Sequence, residues 1–464
     1  MNCKIKSCFI VSSVFVSSLC YSGIAIAQIS SDGTLSTTVS TDDAVNFLIE
    51  GGDHSGDNLF HSFSEFSIPN LGSAYFNNDV DIVNIFSRVT GGNVSDLQGL
   101  IRANGTANLF LINPAGIVFG ENASLDVGGS FFATTAESVV FGDGIEFSAT
   151  KPEEAPLLTI NITPGLQMGS NSGNIQVNGT GHNLSAPTRQ PLIRNDTSPG
   201  LQVTAGNTLA LVGGNITLDG GILTAENGGV EIGAVSDSNL VQLNSTELGF
   251  SLNYSEVSQL GDIQLTQQSL VEASEIGAIR VRGNNISVQD GSLFLIENSS
   301  NQAAWGIEIQ ATDTIEFTGI NSDNSLSSGV ISDTLASGAG GDISLTGLQL
   351  RANNSGGGLR AFTFGNGDSG NITLNADEIE LIGGEQGNSI TEIRTLGRGN
   401  GGDLTVNTQS LTLQEASLVS NVNNGLGSAG DILINATNFV AVGSNPNFAE
   451  PSIFPTSLVP GAKL

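Results

Sequence analysis

Apolar residues along this chain alternate with polar ones in short runs, and most runs are introduced by Gly followed by Asn or Asp. Seven stretches share the pattern: Gly173–Val177, Gly214–Leu218, Gly261–Leu265, Gly341–Leu345, Gly370–Leu374, Gly402–Val406 and Gly430–Ile434. Gly277–Val281 and Gly306–Ile309 are weaker copies. The last four begin 29, 32 and 28 residues apart. A period-2 pattern places one face inward and the other in solvent. Further short strands follow within each unit, for example Glu378–Ile382 after Ile372–Leu374. Short strands in a repeat of roughly 30 residues predict one coil of a right-handed parallel β-helix, in which stacking buries a continuous apolar interior. A propeller blade would need about 40–50 residues. The mature chain has no extended run with helical periodicity.

Two runs break the alternation. Leu109–Ile112 and Ile117–Phe119 are continuously apolar and are separated only by Asn113-Pro114-Ala115-Gly116. Pro114 presets φ near −65° for the turn, and Gly116 supplies a position free of Cβ. The stretch reads as strand, tight corner, strand. At the N-terminus, Lys4 and Lys6 precede the apolar Phe9–Leu19, which is too short to span a bilayer as a helix. Ala25-Ile26-Ala27 then forms a small-x-small site, so the pattern is that of a secretory leader with the mature chain starting at Gln28.

Composition narrows the class. With 60 Gly and only 12 Pro in 464 residues, and ordinary hydrophobic content, the chain is turn-rich β rather than disordered. Removing the leader takes Lys4 and Lys6 with it and makes the formal charge of −31 two units more negative. Such a charge argues against nucleic acid or anionic lipid as a partner. Cys3, Cys8 and Cys20 all lie in the leader, so the mature chain forms no disulfide.

Candidate chemistry is sparse, and no cofactor is expected. His54, His61 and His182 lack metal-ligand spacing. Arg280, Arg282, Arg351, Arg360, Arg394 and Arg398 are scattered, and the nearest carboxylate pair, Asp79 and Asp81, reads as a solvated turn. Gly365–Asp368 and Gly399–Asp403 are Gly/Asp-rich but fall short of tandem Ca²⁺ repeats. A groove holding Asp and Arg within about 5 Å would favour a carbohydrate-active enzyme over a non-enzymatic rod.

Several segments resemble filamentous-haemagglutinin-type exoproteins that carry a two-partner secretion domain. Asn58–Phe63 (NLFHSF) is similar to a segment of cyanobacterial-type members. Ile68-Pro69-Asn70-Leu71 falls where the family often has Asn-Pro-Asn-Leu, with Ile68 in place of the first Asn. Ile82–Gly91 is similar to the strand leading into the next coil. Asn113-Pro114-Ala115-Gly116-Ile117 is similar to the family's second motif, and Leu166–Gly169 with Gly173–Ile175 to the junction with the rod.

The resemblance implies export through an outer-membrane β-barrel transporter. That partner's periplasmic domains would engage the N-terminal domain by strand augmentation, with Ile68–Leu71 and Asn113–Ile117 as the recognition segments. It further implies a location outside the cell and a role in adhesion to a host, surface or carbohydrate receptor. The alternatives are a carbohydrate-active β-helix enzyme and a truncated exoprotein. The expected organisation is a leader over 1–27, a secretion domain over 28–165, β-helix repeats over 166–440 (about ten coils, a rod of roughly 50 Å) and a Pro-bearing tail over 441–464.

Overall fold

The computed structural model describes residues 28–457 apart from 154–164, 188, 199, 324, 354–357, 384–389 and 444–450. The leader, including Ala25 and Ala27 of its cleavage site, lies outside the described residues; Gln28 is the first of them. Every regular element described is a strand, and most pair in parallel as the coils of a β-helix.

Each coil crosses three faces. The first stacks Asn84–Val89, Asn108–Ile112, Phe131–Thr134, Thr208–Gly213 and Gly229–Ala234, then Ala278–Gly283 and Gly306–Ala311. The second stacks Ser95–Leu97, Ile117–Phe119, Ile175–Asn178, Ile216–Asp219, Ile263–Thr266, Ile286–Gln289 and Thr314–Thr318. From residue 342 onward single long strands serve both faces: Asp342–Asn353, Ile372–Ile382, Leu404–Gln414 and Ile432–Val442. The third face carries Asn46–Gly51, Ser73–Phe76, Leu100–Ala103 and Ser124–Asp126, then a nine-stranded sheet from Leu201–Gln202 to Ser452–Ser457. The last of these strands belongs to the Pro-bearing tail, and Pro455 sits on the sheet edge, where no ladder bond is lost. One apolar core runs inside all three faces from Ile29 to Val419.

The seven Gly-Asn/Asp stretches are not equivalent. The first three start strands of the second face, and the last four start strands of the first. Both sets nevertheless use the same chemistry. Asn371 N–H donates to Asp342 Oδ1 at 2.8 Å, Asp403 N–H to Asn371 Oδ1 at 2.8 Å, and Asp431 N–H to Asp403 Oδ1 at 2.8 Å. Asn174, Asn215, Asp262 and Asn285 form the matching column on the other corner. Each side-chain oxygen thus satisfies a corner N–H of the next coil, which the strand ladder leaves unpaired.

Excursions from the coil explain why the first face has eight described rungs from Thr208 onward, fewer than chain length alone suggests. Ser138–Val140, Glu146–Ser148, Gly165–Gln167, Leu240–Thr246 and Gly249–Asn253 form an antiparallel flap. A boundary at residue 165 would cut this sheet. The flap covers the outer side of the first face, where Phe60, Phe86, Phe110 and Phe132 stack at centroid spacings of 5.3, 4.7 and 4.3 Å. Arg88 is fully buried beneath it, donating to Ser62 Oγ and to the carbonyls of Ser148 and Pro152. A second excursion, the hairpin Leu184–Ser185 with Ile193–Arg194, lies over the third face. His182 holds its base, with Nε2 donating to the Gly291 carbonyl at 2.8 Å and Nδ1 accepting from Leu184 N–H. At the N-terminal end Ile29–Ser31 and Thr37–Ser40 pair antiparallel with Asn58–Phe66 and Asn46–Gly51 and close the first coil.

Candidate functional site

Both segments that the resemblance marks for recognition flank the first rungs of the second face. Ile68 is fully buried and bridges Leu97, which pairs with Phe119 one rung further on. The two segments sit at opposite edges of this narrow face, and their exposure differs sharply.

The Asn113–Gly116 corner is structural in its contacts. The Asn113 side chain is fully buried. Its Nδ2 donates to the Asn93 carbonyl and to Ser95 Oγ, both at 2.9 Å, while its Oδ1 accepts from Ala115 N–H at 3.0 Å. Gly116 N–H closes the turn on the Asn113 carbonyl at 3.1 Å, with Gly116 at φ +127°. The next corner stacks directly on it. Gly173 N–H donates to the Pro114 carbonyl at 2.9 Å, and a Cβ at Gly173 would come within 2.4 Å of Ala115 backbone. Asn113 therefore locks a coil corner through bonds to its own turn and to Asn93 and Ser95, beneath the corner where the column of Asn174 and Asn215 begins.

The Ile68–Leu71 segment differs. Beyond buried Ile68 the chain turns at Pro69–Gly72, with Gly72 N–H donating to the Pro69 carbonyl at 2.9 Å. Leu71 occupies the third position of this turn at φ +59°, a place normally held by Gly or Asn. A left-handed Leu costs roughly 1–2 kcal/mol, and its side chain is 80% exposed. Asn70 is exposed as well and accepts from Asn122 Nδ2 at 2.9 Å. Leu71 thus holds an apolar side chain outward on a left-handed turn.

Among the described residues no group of three or more His, Cys, Asp or Glu could hold a metal ion, and no helix is long and apolar enough to cross a membrane. Asp79 and Asp81 are exposed turn residues. Asp368 and Asp403 spend their Oδ1 atoms on the N–H groups of Asn400 and Asp431 in the next coil.

The arginines that look scattered in sequence are partly gathered by the coil. Arg360 forms a two-pronged pair with Asp333 and Arg394 pairs with Glu392, while Arg194 bridges Glu272 and Glu297 at 2.6 Å each. All three pairs lie on the outer side of the third face. Burial pushes the Asp333 and Glu297 carboxyls upward, against the pull of Arg360 and Arg194. Asp333, Phe362 and Arg394 face one another in register on successive strands. Their spacing of about one coil is the signal that would have revealed them.

Residues 27–288 match the family described as TPS secretion domain. The match covers more than half of the chain, which belongs to this family. It runs past residue 165 through the whole flap and the hairpin, and ends within the strand Ile286–Gln289. The fold is similar to the crystal structure of the HMW1 secretion domain from Haemophilus influenzae, with a TM-score of 0.52 and 15% identity over 89% of this chain and 98% of that one. The filamentous hemagglutinin secretion domain aligns over 90% of this chain and 99% of that one, with a TM-score of 0.36 and 13% identity. A stretch of 52 residues is 44% identical to the heme/hemopexin-binding protein of Haemophilus influenzae; it spans 11% of this chain and 5% of that protein. A TPS secretion domain implies an outer-membrane transporter as partner and export across the outer membrane to the cell surface or the extracellular space.

Proposed function

We propose that the chain is a non-enzymatic exoprotein that attaches its producer to a surface, and that its transporter reads the address at the Asn70–Leu71 corner. The observation that carries the address is the outward Leu71 on its strained turn, set against the buried Asn113. The leader is removed after Ala27. Thr37–Ser40, the end strand of its sheet, is the edge to which a periplasmic domain of the transporter adds a strand. Coils then fold outside the cell one upon another, each templated by the last. Co-expression with the partner transporter is expected to place the chain in the medium. Equal secretion after deletion of Gln28–Ala149 would overturn the reading.

A carbohydrate-active enzyme is the second reading, raised by the close Asp333–Arg360 pair. Asp333 is wholly buried and held by both prongs of Arg360, so it is poorly placed to exchange a proton with substrate. A groove that holds saccharide without cleaving it suits these side chains better.

A further inference from the structure

We propose that the corner leading from the third face to the first binds an uncharged, extended polysaccharide. This inference deepens the surface-attachment reading and rests on it. Four successive loops, over residues 335–341, 364–371, 396–403 and 424–431, form this corner. They stack directly on one another. Asn366 N–H donates to the Ala336 carbonyl at 2.8 Å, Arg398 N–H to the Gly365 carbonyl at 2.8 Å, and Leu426 N–H to the Gly397 carbonyl at 2.9 Å. Stacking this close requires Gly365, Gly397 and Gly425, because a Cβ at any of them would collide with a backbone carbonyl of the preceding coil. The loops therefore present their side chains in rows, one per coil at ~4.8 Å per step, on a surface fixed before any ligand arrives.

A cavity of about 500 Å³ opens along these rows. Leu335, Phe364 and Leu396 form a half-buried apolar row. Asn366 and Arg398 stand exposed beside it at the loop tips. Neither of their side chains has a hydrogen bond or ion pair with another described residue. Asn424 joins them from the last loop, its Oδ1 accepting from Arg394 Nη1 at 3.3 Å.

Charge decides the class of ligand. No carboxylate lines this cavity, so nothing in it answers a cationic ligand. The formal charge of −31 over the whole chain repels a polyanion. An uncharged polyol meets neither obstacle. Guanidinium and amide groups donate to hydroxyl oxygens, and amide oxygens accept from hydroxyl groups. The apolar row offers cover for the C–H face of a sugar ring. Because the rows follow the axis of stacking, a ligand lying along them meets an apolar and a polar side chain at successive coils. An extended β-linked glycan keeps to such a line, whereas an α-linked glucan coils away from it.

Calorimetric titration of the purified, folded chain with cellohexaose, maltohexaose and hexagalacturonate tests the proposal. Cellohexaose is expected to bind at least tenfold more tightly than either of the others. Replacing Asn366→Ala and Arg398→Ala together, two exposed side chains without partners in the fold, is expected to weaken that binding tenfold or more while circular dichroism and the unfolding midpoint stay unchanged. No binding of cellohexaose, equal affinity for either of the other glycans, or undiminished binding by the double variant would each overturn it. Attachment of producing cells to a glycan-free surface is read separately, so loss of cellohexaose binding with attachment intact overturns this site and leaves the attachment reading standing.

Discussion

At the scale of single residues, the two corners of the second face separate stability from recognition. Leu71→Gly relieves the left-handed strain but adds backbone freedom to the unfolded chain, two effects of similar size and opposite sign. Its unfolding midpoint is expected to shift by less than about 1 kcal/mol while the exported fraction falls severalfold. Asn113→Ala removes three hydrogen bonds from a buried corner and is expected to cost about 2–3 kcal/mol, with export falling only as far as the fold does. Guanidinium unfolding followed by circular dichroism, with immunoblots of medium against cells, reads both effects. Normal export of the Leu71→Gly chain would remove Leu71 from the address. The Asn-Pro-Ala-Gly corner was legible in sequence because Pro and Gly advertise a turn. The orientation of Leu71 was not, since a leucine at positive φ has no local signature.

At the scale of elements, the coil's first face is sealed on both sides where the flap covers it. The NLFHSF stretch and Asn84–Val89 show no alternation of burial for this reason: Leu59 and Ile85 point inward, while Phe60 and Phe86 point outward under the flap. Phe132→Ala is expected to cost about 3–5 kcal/mol and to release the flap locally. Hydrogen exchange should rise across Leu240–Asn253 while Leu404–Gln414 stays protected; uniform loss of protection would mean that the flap and coil are one cooperative unit. The Gly-Asn/Asp stretches show the limit of reading elements from sequence. Their local chemistry is identical on two corners, so only the lengths of the intervening segments decide which corner each one occupies.

Across the whole molecule, buried titratable groups pull the response to acid in opposite directions. Burial, helped by His54, holds buried His61 at about 4 instead of 6.5. Between those values the unfolded chain binds a proton that the folded chain refuses. Stability from this group is therefore full above pH 6.5 and is lost as pH falls toward 4, by roughly 3 kcal/mol in all. Glu231 is raised to about 7 by burial, against the pull of Arg280. It holds a proton that the unfolded chain has released, and it costs stability as pH rises from 4.5 to 7. The two partly cancel in the parent. His61→Gln removes the first, so urea midpoints are expected to gain on the parent by up to about 3 kcal/mol between pH 7 and 4; a difference independent of pH would show that His61 titrates normally in the folded chain.

Alternation of apolar residues, Gly-Asn/Asp corners and a near-30-residue step determined by themselves that this chain stacks short strands into a β-helix, because each is a local requirement of one coil. The resemblance of the N-terminal segments determined the secretion class in the same way. Tertiary structure alone decided that the flap hides a column of phenylalanines, that Asn113 is buried while Leu71 is presented, and that Arg360, paired to buried Asp333, shares one cavity with Arg394. Those outcomes depend on residues brought together only when coils stack. Excursions such as the flap and hairpin vary the number of residues per coil, so sequence distance does not set which side chains meet.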